Sequence, residues 1–166
     1  MTTRNQSSIG AAQHYGPRDT NDGLPNTVST YGLVKQVELQ FSYDQLDLPT
    51  ENANVDAAVL TLPANAYIKN VYLYVETSFA SGGAPTLNVG LQQTDGTVID
   101  ADGIYVALTV AELAAGWVDN SVAGNVGALV EQGIGANEAQ IAIVGSAAYT
   151  AGVGRLVVEY MQPEDA

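Results

Sequence analysis

The feature that most constrains this chain is a hydrophobic alternation with a period of two that begins at residue 66. Residues 66–79 read AYIKNVYLYVETSF, and every second side chain in the middle of this segment is apolar. Successive side chains of a strand leave the pleated backbone on opposite faces, so this period predicts a half-buried β-strand. We expect Val71, Leu73, Val75 and Phe79 to point to the core, and Tyr72, Tyr74 and Glu76 to point away from it.

The same alternation returns in residues 86–93 (TLNVGLQQ), after a link at residues 80–85 that contains glycine and proline. This second segment places Leu87, Val89 and Leu91 inward and Asn88, Gly90 and Gln92 outward. We predict that the two segments pair as a β-hairpin. Because an isolated hairpin is only marginally stable in water, the rest of the chain must supply partners for its apolar face.

Other short strands follow from the same reasoning. Residues 33–43 alternate cleanly, with Val37, Leu39, Phe41 and Tyr43 expected on the buried side, and an acidic loop follows at residues 44–56. Further strands are predicted at residues 57–62, 98–99, 104–108, 126–130, 139–144 and 155–161. In the segment 139–144, Ala139, Ile141 and Ile143 are expected to point inward. The Asp-Ala-Asp-Gly sequence of residues 100–103 is expected to separate two of these strands.

One short helix is predicted immediately after residue 108. Thr109 fits an N-cap, Glu112 stands three residues later as a capping box requires, and Gly116 fits the first position beyond the helix. Trp117 follows the helix, and we expect its large apolar ring to be buried.

Together these segments predict an all-β protein, an antiparallel β-sandwich of about eight strands with jelly-roll-like topology and one short helix. We assign the sandwich to residues 33–161, an acidic tail to residues 162–166 and an N-terminal arm to residues 1–32. The arm is polar and low in aliphatic residues, so it is either disordered or extended and ordered only against a neighbouring subunit. In the second case it would contact that subunit through Tyr15, Leu24, Val28 and Tyr31.

Composition argues against several classes of function. The formal net charge is −13, from 18 acidic and 5 basic residues, so we expect no nucleic-acid binding. No apolar run approaches the ~20 residues of a membrane span and no signal-like segment opens the chain, so we expect a soluble protein made in the cytoplasm, without a membrane partner. Cysteine is absent and His14 is the single histidine, which argues against thiolate chemistry, zinc centres and a Ser-His-Asp triad.

Acidic residues are the remaining candidates for chemistry. Asp95, Asp100 and Asp102 lie close together in the sequence, and Asp-x-Asp-Gly is part of many calcium-binding loops. The glutamate that completes such a loop is missing at the required spacing, so we interpret these residues as acids of surface turns, with calcium binding as the alternative. Neither a GxSxG motif nor a phosphate-binding glycine motif is present. We expect a non-enzymatic protein without cofactor or metal.

Tyr72 and Tyr74 are the candidate binding residues of the sandwich itself. Both are expected on the outward face of the strand at residues 66–79. Tyrosine combines a large contact area with a polar tip and is enriched at protein–protein interfaces. Three interpretations are open: local packing over the sheet, a subunit interface, or a platform for a ligand such as a sugar.

Over residues 33–161 the chain resembles a group of phage proteins. The polar N-terminal arm, LPANAYIKNVYLYVETSF leading into TLNVGLQQTDGTVIDADGI, and the closing strand GVGRLVVEY are similar to the β-sandwich decoration (cement) proteins of tailed-bacteriophage heads. The resemblance implies a virion protein that binds the outer surface of the head as a homo-oligomer, with a trimer favoured. In that position it would stabilise the capsid by bridging neighbouring major capsid subunits.

Two alternatives to the decoration protein stay open. One is a structural component of the phage tail or fibre. The other is a carbohydrate-binding module, in which Tyr72, Tyr74 or Trp117 would stack on sugar rings.

Overall fold

Nearly all of the regular structure is β-strand. The computed structural model describes residues 34–46 and 61–162. These residues form nine strands, which are β1 (Val34–Ser42), β2 (Thr61–Leu62), β3 (Tyr67–Ala80), β4 (Thr86–Gln92), β5 (Val98–Thr109), β6 (Gly116–Trp117), β7 (Gln132–Gly133), β8 (Ala139–Gly145) and β9 (Ala151–Met161). The arm predicted at residues 1–32 and most of the acidic loop predicted at residues 44–56 lie outside the described residues, as do residues 57–60 and 163–166.

The strands form two antiparallel sheets. The first sheet has the order β1-β9-β3-β6, with β7 also paired to β3, and the second has the order β2-β8-β4-β5. Successive strands change sheet at every link except β4–β5 and β6–β7. Two such sheets linked by repeated crossovers are typical of a jelly roll, so the predicted fold class is confirmed.

The predicted hairpin is wrong, although both of its strands exist. β3 lies beside β9 in the first sheet, and β4 lies between β5 and β8 in the second. Residues 81–85 therefore carry the chain from one sheet to the other. Alternation specifies which side of a strand is buried and does not specify which strand lies beside it.

The inward residues of the two sheets form one hydrophobic core. The residues predicted to point inward from β3, β4 and β8 are all buried, namely Val71, Leu73, Val75, Phe79, Leu87, Val89, Leu91, Ala139, Ile141 and Ile143. Phe41 of β1 contacts Phe79, with ring centroids 5.8 Å apart. Tyr43, predicted to be buried, is exposed because β1 ends at Ser42 and the chain continues as a 3-10 turn, Tyr43–Gln45.

β5 corrects another prediction. Residues 100–103 do not end a strand, because they form a bulge within β5 between the pairs Leu91–Asp100 and Val89–Tyr105. The bulge covers Gly90, which was predicted to point outward and is buried, as is Gln92. A Cβ atom on Gly90 would lie 2.1 Å from the carbonyl oxygen of Asp100, so a larger residue requires the backbone to move.

The strand predicted at residues 126–130 is replaced by irregular chain that follows β5. Val126 forms a single bridge with Tyr105. The N–H groups of Gly127 and Leu129 donate to the carbonyls of Ile104 and Gly103, at 2.9 and 2.8 Å. These bonds cover part of the edge of β5, which would otherwise present unpaired backbone groups.

The predicted helix is a single turn. The hydrogen bonds of the capping box are present, since the Thr109 N–H donates to Glu112 Oε2 at 2.7 Å and the Glu112 N–H donates to Thr109 Oγ1 at 3.4 Å. The Thr109 N–H also lowers the pKa of the Glu112 carboxyl. After one turn the Leu113 carbonyl accepts a hydrogen bond from the Phe79 N–H, at 3.1 Å, which joins the chain to β3. The capping box therefore closes a turn that leads into β6.

Two buried tyrosines differ in what their hydroxyl groups contact. The Tyr105 hydroxyl donates to Asn120 Oδ1 at 2.8 Å, and Asn120 Nδ2 donates to the Val71 carbonyl at 2.7 Å. The Tyr149 ring packs edge-to-face on Phe79, and its buried hydroxyl has no hydrogen-bond partner among residues 34–46 and 61–162. Burial raises the pKa of Tyr149 to about 12.

This difference predicts opposite effects of two matched substitutions. Tyr149→Phe removes an unpaired buried hydroxyl, so the free energy of unfolding should stay unchanged or rise by about 1 kcal/mol. Tyr105→Phe removes a hydrogen bond, so it should lower the free energy of unfolding by about 1 kcal/mol. Denaturant titration of both variants measures these changes. A loss on Tyr149→Phe equal to that of Tyr105→Phe would show that the Tyr149 hydroxyl has a partner.

Candidate functional site

The outward face of the first sheet brings exposed side chains into rows. β9 lies between β1 and β3, and β6 pairs with the other side of β3. The paired positions form three rows, which are Gln40, Arg155, Tyr74 and Trp117; Glu38, Val157 and Tyr72; and Gln36, Glu159 and Asn70. Residues directly opposite each other on antiparallel strands point to the same face, where their side chains can contact.

Three aromatic side chains form what we call the aromatic patch, defined as Tyr72, Tyr74 and Trp117. The rings of Tyr74 and Trp117 have centroids 4.9 Å apart and planes inclined by 56°. Tyr72 is 39% exposed, Tyr74 37% and Trp117 68%. The outward direction predicted for the two tyrosines agrees with these values, whereas the predicted burial of Trp117 is wrong.

Backbone contacts with β3 explain why Trp117 points outward. The Ala115 N–H donates to Ser78 Oγ at 2.9 Å, and the Val118 N–H donates to the Leu73 carbonyl at 2.9 Å. In this register Val118 enters the core, so its neighbour Trp117 must leave the sheet on the opposite side. Either of the two apolar residues fits a core position, and the sequence does not indicate which of them takes it.

Gly116 allows the chain to enter β6. Its φ angle of +130° lies in a region that glycine adopts readily and that L side chains rarely adopt. Gly116 was predicted to occupy the first position beyond a helix, where glycine is also favoured.

Arg155, which the sequence analysis did not single out, joins three strands beside the aromatic patch. Its Nη1 lies 2.8 Å from Glu38 Oε1 on β1, and its Nη2 lies 2.9 Å from Glu76 Oε1 on β3. Gln40 Nε2 donates to Glu76 Oε2 at 3.0 Å. The Glu76 hydrogen bond and the Glu38 charge raise the pKa of Arg155. Exposed ion pairs of this kind contribute about 1 kcal/mol or less, so we regard the network mainly as a means of fixing side-chain positions.

Two open depressions lie on either side of Trp117. One, of about 420 Å³, is lined by Gln36, Tyr72, Trp117, Val157 and Glu159. The other, of about 410 Å³, is lined by Tyr74, Glu76, Trp117 and Arg155. Each depression combines aromatic surface with a carboxylate, an arrangement that suits the binding of a protruding side chain or a sugar ring.

The acidic turns do not converge on a metal site. Asp95 Oδ1 accepts a hydrogen bond from the Thr97 N–H at 2.9 Å, and Asp100 Oδ1 accepts one from the Asp102 N–H at 3.3 Å. A hydrogen bond with Asp100 raises the pKa of Asp102. Within residues 34–46 and 61–162, no three His, Asp or Glu side chains are grouped in a way that could hold a metal ion. The same residues contain no helix long and apolar enough to cross a membrane.

The structure thus brings together some of the predicted binding residues. Tyr72 and Tyr74 share one face, and Trp117 and Arg155 join them there. Tyr15, Leu24, Val28 and Tyr31 lie outside the described residues, so their role in an arm stays a prediction.

The exposure of Trp117 predicts a specific fluorescence behaviour, since it is the single tryptophan of the chain. Its emission should lie at the long wavelengths typical of tryptophan in water, and acrylamide should quench it efficiently. Tyr74→Ala should increase this quenching because the Tyr74 ring covers one side of the indole. Tyr43→Ala, which removes an exposed tyrosine outside the aromatic patch, should leave the quenching unchanged. Blue-shifted emission that resists quenching would contradict the exposed position.

Comparison with solved structures finds matches to chains of phage capsids. A chain of the capsid of Ralstonia phage GP4 matches with a TM-score of 0.50 and 21% sequence identity, over 79% of this chain and 86% of that chain. A chain of the cyanophage Pam1 capsid asymmetric unit matches with a TM-score of 0.46 and 18% identity, over 96% of this chain and 100% of that chain. No family model matches the sequence, and no curated protein matches it. At 21% identity, the likeness to the GP4 chain shows a shared fold.

Proposed function

We propose that this protein is a non-enzymatic structural component of a phage virion that binds the outer surface of the head as a decoration protein. The observation that carries the proposal is the aromatic patch, which a rigid jelly-roll sheet presents to its surroundings. Clustered exposed aromatic side chains mark interaction surfaces, and tyrosine and tryptophan are enriched in the residues that dominate binding energy. The fold shared with a chain of the GP4 capsid supports a place in the virion.

The sheet presents these rings in a fixed arrangement. Tyr74 and Trp117 contact each other, and the Arg155 network holds the neighbouring positions on β1, β9 and β3. Side chains that are already ordered lose less conformational entropy when a partner binds. A major capsid protein that contacts the aromatic patch would therefore gain affinity from a small number of residues.

Bridging of capsid subunits requires a second attachment besides the aromatic patch. We propose that residues 1–32 provide it, by adding a strand to a neighbouring subunit and inserting Tyr15, Leu24, Val28 and Tyr31. Two linked attachments to adjacent major capsid subunits would oppose the separation of those subunits. A trimer would oppose this separation more strongly, since each copy adds a further attachment.

The charge distribution supports a position outside the capsid. The net charge of −13 arises entirely after residue 32, because the first 32 residues contain Arg4, Arg18, Asp19 and Asp22 and are neutral in sum. Such an acidic sandwich is repelled by DNA and has no need to contact the packaged genome. Synthesis in the cytoplasm of a host bacterium is consistent with assembly onto heads in the same compartment.

Binding to undecorated heads tests the proposal. The purified protein should co-sediment with expanded heads that lack it and should raise their resistance to heat. Trp117→Ala should weaken binding about tenfold or more, because removal of a dominant interface residue costs about 2 kcal/mol. Tyr43→Ala serves as the control and should bind like the unsubstituted protein.

Other results of this experiment would favour the alternatives. Binding to tails or fibres and not to heads would assign the protein to those structures. Binding on a glycan array that is lost in Tyr72→Ala would indicate a carbohydrate-binding module.

The trimer and the arm have a separate test. Light scattering after gel filtration should give a mass near three times the 17.3 kDa of one chain. Deletion of residues 1–30 should preserve cooperative unfolding of the sandwich while reducing trimer formation or attachment to heads. If the shortened protein keeps the same mass and the same attachment, the arm has no role in assembly.

A further inference from the structure

We propose that the depression lined by Tyr72, Trp117 and Glu159 receives an arginine side chain of the protein partner. We call this place the Glu159 depression. The inference rests on the proposed function, because it names the chemistry of the surface that the aromatic patch would contact. The side chains that line the depression favour one occupant, a guanidinium group.

The lining residues of the Glu159 depression match a guanidinium group in shape and charge. Tyr72 and Trp117 supply ring surfaces. Val157, on β9 between β1 and β3, supplies an apolar surface. A guanidinium group is planar, stacks on aromatic rings and donates paired hydrogen bonds to a carboxylate. Glu159 provides that carboxylate in the same depression.

The Glu159 carboxylate is held in place and keeps acceptor capacity. Asn70 Nδ2 donates to Glu159 Oε2 at 3.3 Å. Among residues 34–46 and 61–162, this is the hydrogen bond that the carboxylate makes, so Oε1 is available to an incoming donor. A partner that covered Glu159 with apolar atoms would bury an uncompensated charge, which is unfavourable.

The depression on the other side of Trp117 provides an internal comparison. It is lined by Tyr74, Trp117, Glu76 and Arg155, so it combines rings and a carboxylate with an arginine from this chain. The Arg155 guanidinium contacts Glu76 at 2.9 Å. The Glu159 depression has the same classes of residue except the arginine. One depression therefore contains a carboxylate already paired with an arginine of this chain, and the other contains a carboxylate without such a pair.

The charges of this face agree with a cationic partner. Glu38, Glu76 and Glu159 occupy outward positions of the first sheet, and Arg155 is already bound by the first two. Among residues 34–46 and 61–162, Glu159 forms no ion pair, although Lys69 precedes Asn70 on β3, and its hydrogen-bond partner is the neutral Asn70. A partner arginine would add attraction at short range, and the net charge of −13 would favour its approach at longer range.

A peptide titration of the full-length protein tests this inference. The probe is N-acetylated Gly-Arg-Gly amide, and the readout is the fluorescence of Trp117 at low salt. We expect a saturable change of emission with the arginine peptide and no such change with the matched peptide that carries citrulline, which keeps the shape and removes the charge. Glu159→Gln and Tyr72→Ala should each weaken binding of the arginine peptide about two- to fivefold.

A matched control separates the local charge from the net charge. Glu138→Gln removes an equal charge just before β8 of the second sheet and should leave the affinity for the arginine peptide unchanged. Equal affinity of the citrulline peptide, or an equal effect of Glu159→Gln and Glu138→Gln, overturns the inference. Saturation by a neutral oligosaccharide without any response to the arginine peptide also overturns it and indicates a sugar platform.

The head-binding assay distinguishes this inference from the proposed function. If Glu159→Gln binds heads as tightly as the unsubstituted protein while Trp117→Ala does not, the decoration function stands and the arginine site falls. If the arginine peptide binds as expected but the protein attaches to no heads, the arginine site stands and the decoration function falls.

Discussion

The pairing of β9 between β1 and β3 is the constraint on which the first sheet depends. Leu156 and Val158 of β9 enter the core, while Arg155 and Glu159 point outward beside the aromatic patch. A slip of one residue in this register would place the two charged side chains in the core, at a cost of several kcal/mol. The burial that stabilises the sandwich therefore also sets the positions of the residues on its outer face.

Local patterning was sufficient to predict the inward residues of β3, β4 and β8, and insufficient for Tyr43, Gly90, Gln92 and Trp117. It gave the inward side chains of β3 and β8 correctly, since a period of two depends only on the strand itself. It failed where an element depends on contacts with residues that are distant in the sequence. The bulge that covers Gly90 comes from β5, and the turn after Thr109 ends because Leu113 bonds to Phe79 of β3.

The candidate site was predictable in part, where the position of a residue depends on its own strand. Tyr72 and Tyr74 could be assigned to an outward face from their spacing alone. Trp117 and Arg155 could not be assigned to that face, because each reaches it through pairing with a strand that is remote in sequence. The face thus combines residues from four strands, and its mixture of rings and carboxylates emerges only once the sheet order is known.

The edge strands of the two sheets determine where a strand of another molecule can pair with this protein. β2 and β6 are two residues long, and the bonds from Gly127 and Leu129 occupy part of β5. β1, with nine residues, is the long edge strand that the described part of the chain leaves uncovered. Strand addition continues from molecule to molecule where each one has a receptive edge together with a second edge or an arm that pairs with the next. Antiparallel pairing of β1 with β1 of a second copy would be isologous, so it would occupy this edge in both molecules and join two copies without continuing into an open polymer.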